Sequence, residues 1–208
     1  MSDFEVNLFY ELIIDDLMNR KYSVVDAFFT AQEIELFRAN LKLKRELSSF
    51  KKAAIGNNEN EQIVEEIRGD SILWLDETEP DEVEKMYFDK VNDFILYVNR
   101  TCYLGLQGGE FHYACYPPGT FYKRHLDIFH SDTRRTLSMV LYLNDEHWNP
   151  SWGGELAIYL QDEDANEKQE IIHALPGRLV IFDSKALEHE VKMVNHTRYS
   201  ITGWLKTR

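Results

Sequence analysis

The segment Arg124-His125-Leu126-Asp127, with His189 and Arg198 further along, carries residue types suited to metal chemistry. Two imidazoles and one carboxylate bind one face of an iron(II) ion and leave the other face open, as reactions with O2 require. His125 and Asp127 are two apart, so on a strand both side chains leave the same face. A His-x-Asp triplet alone is weak, because short motifs recur by chance and the histidine is as readily an ordinary half-buried one. His189 strengthens it. It follows Pro176-Gly177-Arg178-Leu179-Val180-Ile181-Phe182, a turn leading into an apolar strand, and precedes a strand near Val191, so a barrel can set it across from His125. The remaining histidines, His112, His130, His147, His173 and His196, lack a partner at ligand spacing and are read as non-ligands. His112 is the one whose parity turns it toward the same cavity.

Arg198 is the fourth element. Parity over 198–204 puts Arg198, Ser200, Thr202 and Trp204 on one face. An inward arginine without a partner is costly, so it implies an anion, and a planar guanidinium grips a carboxylate with two charge-assisted bonds. The alternative is an Arg198 turned to solvent or paired with one of the many acidic residues; parity does not choose between them. Tyr116 shares a face with Ala114 and His112, and Tyr142 with Val140 and Ser138. A tyrosine hydroxyl inside a barrel needs a hydrogen-bond partner, which a bound carboxylate, the backbone or water can supply.

These side chains need a scaffold. The chain has 208 residues, 44% hydrophobic and 13% aromatic, enough for a substantial core without a second domain. Its formal net charge of -13 argues against non-specific nucleic-acid binding, since phosphates repel it. Cys102 and Cys115 form no C-x-x-C pair and sit in apolar stretches, which reads as two reduced thiols in a cytoplasmic protein. No signal peptide and no apolar run near the ~20 residues of a membrane span is visible.

Residues 4–19 read as an amphipathic helix and 22–29 as a strand. Thr30 to Glu33 is a capping box that starts a helix running to about Leu47. Residues 50–63 read as a loop or irregular hairpin, 67–75 as a strand, and Pro80 opens a helix on which Val83, Tyr87, Val91, Phe94 and Val98 recur. After Gly108-Gly109 short runs rich in β-branched and aromatic residues alternate with turns: 110–116, 121–127, 136–143, 155–160, 170–174, 178–182, 189–193 and 198–205. Strands at this spacing predict an α+β, mainly β fold, a double-stranded β-helix (jelly roll) barrel padded by N-terminal helices. One domain spans 1–208, with 1–108 as mainly helical support plus edge strands and 109–208 as the jelly-roll core. The acidic run from Asp162 to Glu170 reads as a solvated hairpin loop.

Six segments together carry a family resemblance: IRGDSILWLD (67–76), HYACYPPGTFYKRHLD (112–127), RTLSMVLYLN (135–144), WGGELAIY (152–159), PGRLVIFDS (176–184) and HEVKMVNHTRYSITGW (189–204). In this order and spacing they resemble the iron(II)- and 2-oxoglutarate-dependent dioxygenases, and within them the oxygen-sensing prolyl hydroxylases and their bacterial relatives, over roughly residues 20–208. The resemblance implies that His125, Asp127 and His189 bind iron and that Arg198 and Tyr142 hold the distal carboxylate of 2-oxoglutarate. It implies that Tyr116 hydrogen-bonds near the metal, that Thr202 and Leu156 line the cosubstrate pocket, and that Trp204 lies by the substrate opening. Asp70 and Arg135 match a charged pair that helps place a substrate proline. Implied cofactors are Fe(2+), 2-oxoglutarate and ascorbate; implied partners are O2 and a proline-containing protein or peptide. The expected products are succinate, carbon dioxide and a hydroxylated carbon, with a hydroxylase of a free amino acid or small metabolite, or a non-catalytic binding module, as the competing readings. The collagen-modifying animal members usually carry lysine where Arg198 stands, which points away from collagen. Residues 50–63 and 128–134 are the expected closing segments over a substrate.

Overall fold

The computed structural model describes residues 5–47, 50–53, 67–128, 133–161 and 166–208. The expected closing segments 50–63 and 128–134 lie in large part outside these residues; of the acidic run 162–170 only 162–165 do, and Glu167 to Glu170 belong to a strand rather than to the expected loop.

Each helix starts where local chemistry satisfies its first free N–H groups. Asn7 caps α1 (Leu8–Arg20) through its side chain, and Lys21 ends it in the left-handed conformation. Thr30 and Glu33 form the predicted reciprocal box ahead of α2 (Ala31–Leu47), with Glu33 N–H donating to Thr30 Oγ1 at 3.2 Å and Thr30 N–H to Glu33 Oε2 at 2.7 Å. A second capping box, Asp81 with Glu84, opens α3 (Glu82–Cys102), and Pro80 stands just before that cap rather than inside the helix. Such a cap is worth ~1 kcal/mol.

Among the described residues the strands form two antiparallel sheets. The larger has the order β1 (Tyr22–Val25), β9 (Leu179–Asp183), β6 (Arg135–Tyr142), β11 (Arg198–Thr207), β4 (Leu106–Tyr116), β3 (Ser71–Trp74), β2 (Lys51–Lys52). The smaller runs β5 (Tyr122–His125), β10 (His189–Val191), β7 (Leu156–Gln161), β8 (Glu167–Ile172). The expected barrel with helical padding is what the chain forms.

Strand parity decides which core each residue joins. Phe111, Tyr113, Leu137, Met139, Leu141, Leu179, Ile181, Ile201 and Leu205 leave the outer face of the large sheet and pack with Ile13, Phe37, Leu41, Phe94 and Val98 of the helices. Val140, Tyr142, Val180 and Phe182, on the alternate positions, turn inward against Leu156 and Ile158 of the small sheet. Both faces are therefore buried, which is why Met139 to Tyr142 of β6 and Leu179 to Phe182 of β9 read as continuous apolar runs. Burying each such side chain contributes roughly 1.5–3 kcal/mol.

The structure shortens the strand expected at 22–29. β1 ends at Val25, and Ala27 adopts a left-handed φ of 63°, which drops Phe28 and Phe29 into the helical core. The division expected at 108 falls inside β4, so the helical half and the barrel share a strand. No helix among the described residues is long and apolar enough to cross a membrane.

Candidate metal and cosubstrate site

β5 and β10 are antiparallel neighbours, and His125 and His189 are partners directly opposite each other in that ladder. The two histidines therefore stand side by side on adjacent strands, not across the barrel as the sequence suggested. The chain leaves β5 after His125 and turns Asp127 back, so its carboxylate oxygens lie 3.4 Å from Nε2 of both histidines. One ligand atom from each residue falls within 4.8 Å of the others. His125 Nδ1 lies 2.7 Å from the Lys123 carbonyl and His189 Nδ1 3.2 Å from the Leu187 carbonyl. A carbonyl accepts only from a protonated nitrogen, so both contacts put the proton on Nδ1 and leave Nε2 bare for a metal. The register shift between His189 and Val191 sets Tyr122 opposite Val191, and the extra residue brings the Tyr122 ring onto His125, centroids 3.6 Å apart.

Burial alone would raise the Asp127 carboxyl, but His189, His125 and the Ser138 hydroxyl outweigh it and hold it well below the usual range. Ser138 Oγ donates to Asp127 Oδ2 at 2.7 Å and lies 2.8 Å from Ser184 Oγ. Burial pulls His189 down to about 4, against the opposing pull of Asp127. Two neutral nitrogens and one carboxylate oxygen are the donors a divalent iron ion takes on one face.

The other end of the cleft is built by the β4–β11 ladder. Arg198 opposes Tyr116 and is 1% exposed, so of the two orientations open to it the inward one holds. Its guanidinium lies 4.9 Å from the Tyr116 ring centre and 4.8 Å from that of Tyr142. Arg198 makes no ion pair among the described residues; Nη1 has a long 3.5 Å contact with Ser200 Oγ, and Nε and the Tyr142 hydroxyl have no hydrogen-bond partner. A buried cation beside a buried hydroxyl fits a carboxylate, which can accept from both. Gly154, at φ +73°, makes room: a Cβ there would come 2.8 Å from Arg198 Cδ. Thr202 and Leu156 line the same cleft, which reaches from Arg198 to the metal ligands.

Comparison with known proteins decides the family. Residues 111–206 match the model of the 2OG-Fe(II) oxygenase superfamily. A prolyl-4-hydroxylase from Pseudomonas putida is 34% identical, with 97% of this chain and 100% of that one aligned at a TM-score of 0.82. The chain belongs to the 2OG-Fe(II) oxygenase superfamily. A prolyl hydroxylase from Trichoplax adhaerens, solved with a peptide of the hypoxia-inducible-factor oxygen degradation domain, is 26% identical over 96% of this chain and 89% of that one, with a TM-score of 0.83. Human Egl nine homolog 1 is 26% identical over 96% of this chain and 47% of its own length. The chain spans about half the length of the curated relatives it matches.

At the mouth of this oxygenase the expected charged pair is not formed. Asp70 is 2% exposed and bound by Arg68 through two contacts of 2.6 and 2.9 Å, not by Arg135. Arg135 pairs with Glu110 at 2.8 Å and lies over Trp204, its guanidinium carbon 3.5 Å from the ring centre. Trp204 reaches the cleft; Arg68, not Asp70, lines it. The sequence missed Arg68, Tyr122 and Ser138. Ser138 had a readable signal, a small hydroxyl at an inward position within an apolar run; Arg68 and Tyr122 depend on a bridge between their own segments that no local pattern announces.

Proposed function

We propose that this protein is an iron(II)- and 2-oxoglutarate-dependent dioxygenase that hydroxylates a prolyl residue in a protein or peptide. The observation that carries the reading is one cleft holding both a two-histidine, one-carboxylate ligand set and a buried Arg198 with an orphaned tyrosine hydroxyl beside it. When bound, iron(II) and 2-oxoglutarate supply the oxidation, in which decarboxylation of the cosubstrate to succinate accompanies placement of one oxygen atom of O2 on a substrate carbon.

The chain's residues supply position. His125, Asp127 and His189 would hold the metal through Nε2, a carboxylate oxygen and Nε2, with Ser138 orienting the carboxylate. Arg198 and Tyr142 would grip the distal carboxylate, and Tyr116, Thr202 and Leu156 would wall the cosubstrate. Trp204 and Arg135 would flank an incoming peptide, and Asp70 would act through Arg68. The apolar walls exclude water, which strengthens every charge contact inside. The prolyl substrate is carried over from the two prolyl hydroxylases aligned along nearly the whole chain. Two free cysteines fit a reducing compartment, and we place the protein in the cytoplasm.

The test loads the protein anaerobically with iron(II) and 2-oxoglutarate, then admits O2 with ascorbate as external reductant, proline-containing peptides and host lysate. Succinate in step with a proline gaining one oxygen atom supports the reading, and His125→Ala or Asp127→Ala abolishes both. Succinate without a modified protein moves the substrate to a free amino acid or small metabolite. Failure to bind iron leaves a binding module.

A further inference from the structure

His112 has no part in the reading above, yet it lies in the middle of the cleft. It opposes Thr202 of β11 on one side and Trp74 of β3 on the other. Inward residues step along the β4–β11 ladder in pairs: Tyr116 with Arg198, Ala114 with Ser200, His112 with Thr202, and then Trp204, which faces Ser138 of β6. His112 thus stands two steps from the cosubstrate anchor and one from the serine that holds Asp127. It is 1% exposed, and neither ring nitrogen has a hydrogen-bond partner. The indole N–H of Trp204 has none either. The rings of Trp74 and Trp204 hold the imidazole in place at 4.9 and 5.6 Å.

An ordinary buried histidine satisfies its two nitrogens on backbone or neighbouring side chains. Here the flanking backbone is committed to the β3–β4–β11 ladders and the ring neighbours are two indoles, so the partner must come from the cleft. Burial, with Arg68 and Arg135 adding to it, pushes the imidazole well below its ordinary pKa, so it is neutral and carries one N–H and one bare nitrogen. A carboxylate, which only accepts, would leave the bare nitrogen unmet. Neighbouring amides of a peptide backbone offer both a carbonyl oxygen and an N–H.

We propose that His112 is a specificity-determining residue that reads the peptide backbone next to the hydroxylated residue, giving its N–H to the carbonyl of one amide and accepting the N–H of a neighbouring one, with the Trp204 indole as a second donor. This rests on the protein-hydroxylase reading and adds to it the reason a peptide is preferred over a free amino acid.

The test measures binding, not turnover. Protein loaded anaerobically with iron(II) and 2-oxoglutarate is titrated with the best binder from a library of acetylated, amidated heptapeptides with a central proline, and separately with free L-proline. His112→Leu keeps the bulk and removes both hydrogen-bonding atoms; His112→Gln restores one donor and one acceptor. The expected result is about a tenfold rise in the peptide Kd for His112→Leu, the size of one hydrogen bond, with most of the affinity recovered in His112→Gln. The melting temperature and the 2-oxoglutarate Kd are followed in the same samples. Equal peptide affinity in wild type and His112→Leu overturns the proposal, as does a tenfold loss of 2-oxoglutarate binding, which would assign His112 to the cosubstrate. A Kd that changes for free proline and not for peptide overturns it too. Wild type that binds free proline and no peptide of the library overturns the protein-hydroxylase reading, and the amide assignment with it.

Discussion

Replacing Arg198 by methionine sets two effects against each other. The guanidinium is 1% exposed, sits between the Tyr116 and Tyr142 rings, and makes no ion pair among the described residues. A buried cation of this kind opposes folding when no anion is bound, and apolar replacements of buried charges of similar volume stabilise by ~1–4 kcal/mol. Methionine fills the same channel and packs its sulfur on the two rings. In metal-free, cosubstrate-free protein, Arg198→Met therefore raises stability by ~1–3 kcal/mol, a melting temperature about 3–10 °C higher for a chain this long. The same change removes two charge-assisted bonds to the cosubstrate at ~1.5–3 kcal/mol each, so 2-oxoglutarate affinity falls by a factor of ~10²–10⁴. Calorimetric melting of the apo protein and titration of 2-oxoglutarate into the manganese(II)-loaded protein read the two effects separately. A variant that melts lower than wild type and binds 2-oxoglutarate equally well would show that Arg198 is a structural residue and refute the anchor.

Ser138→Ala removes the hydroxyl that holds Asp127 Oδ2 at 2.7 Å, and metal affinity should fall ~10–100-fold; titration with manganese(II) that shows no change counts against the orienting role. Gly154→Ala should cost ~1–2 kcal/mol from its left-handed backbone alone and also weaken 2-oxoglutarate binding several-fold, because the new methyl meets Arg198 Cδ at 2.8 Å; loss of stability with intact 2-oxoglutarate affinity would separate the glycine from the anchor. His189 is pulled from 6.5 to about 4, so below pH 6.5 the unfolded chain takes up a proton that the fold excludes. The apo protein should therefore lose stability as pH falls from 6.5 toward 4, with Asp127, held ionised in the fold, extending the loss below that, and urea midpoints that stay flat from 6.5 to 4 would contradict the buried neutral ring. With His189 neutral and Asp127 ionised at pH 7, metal uptake displaces no proton from either; calorimetry in buffers of different ionisation enthalpy should find at most one proton released, and two would contradict the assignment.

Much of this molecule was legible in the chain because parity is local. The inward sets Arg198-Ser200-Thr202-Trp204 and His112-Ala114-Tyr116 follow from counting by two, and the capping box at Thr30 from a four-residue pattern. Partner choice was not legible. Nothing near His125 says that β5 lies against β10, so the sequence allows the histidines to face each other across the barrel when they are in fact register partners. Asp70 was matched with distant Arg135 although Arg68, two residues away, closes on it with better geometry. The strand at 22–29 was overrun because Phe28 and Phe29 are as apolar as Val24 and Val25, and only the turn at Ala27 reveals that they serve a different core.

Because His125 and His189 are register partners, and because β5 is the outermost strand of its sheet apart from one bridge at Arg68, an ion held between them works like a rivet through a sheet edge. Metal loading and the seating of that four-residue strand become a single equilibrium. Anything that steadies the edge tightens the ion, and loss of the ion loosens the edge.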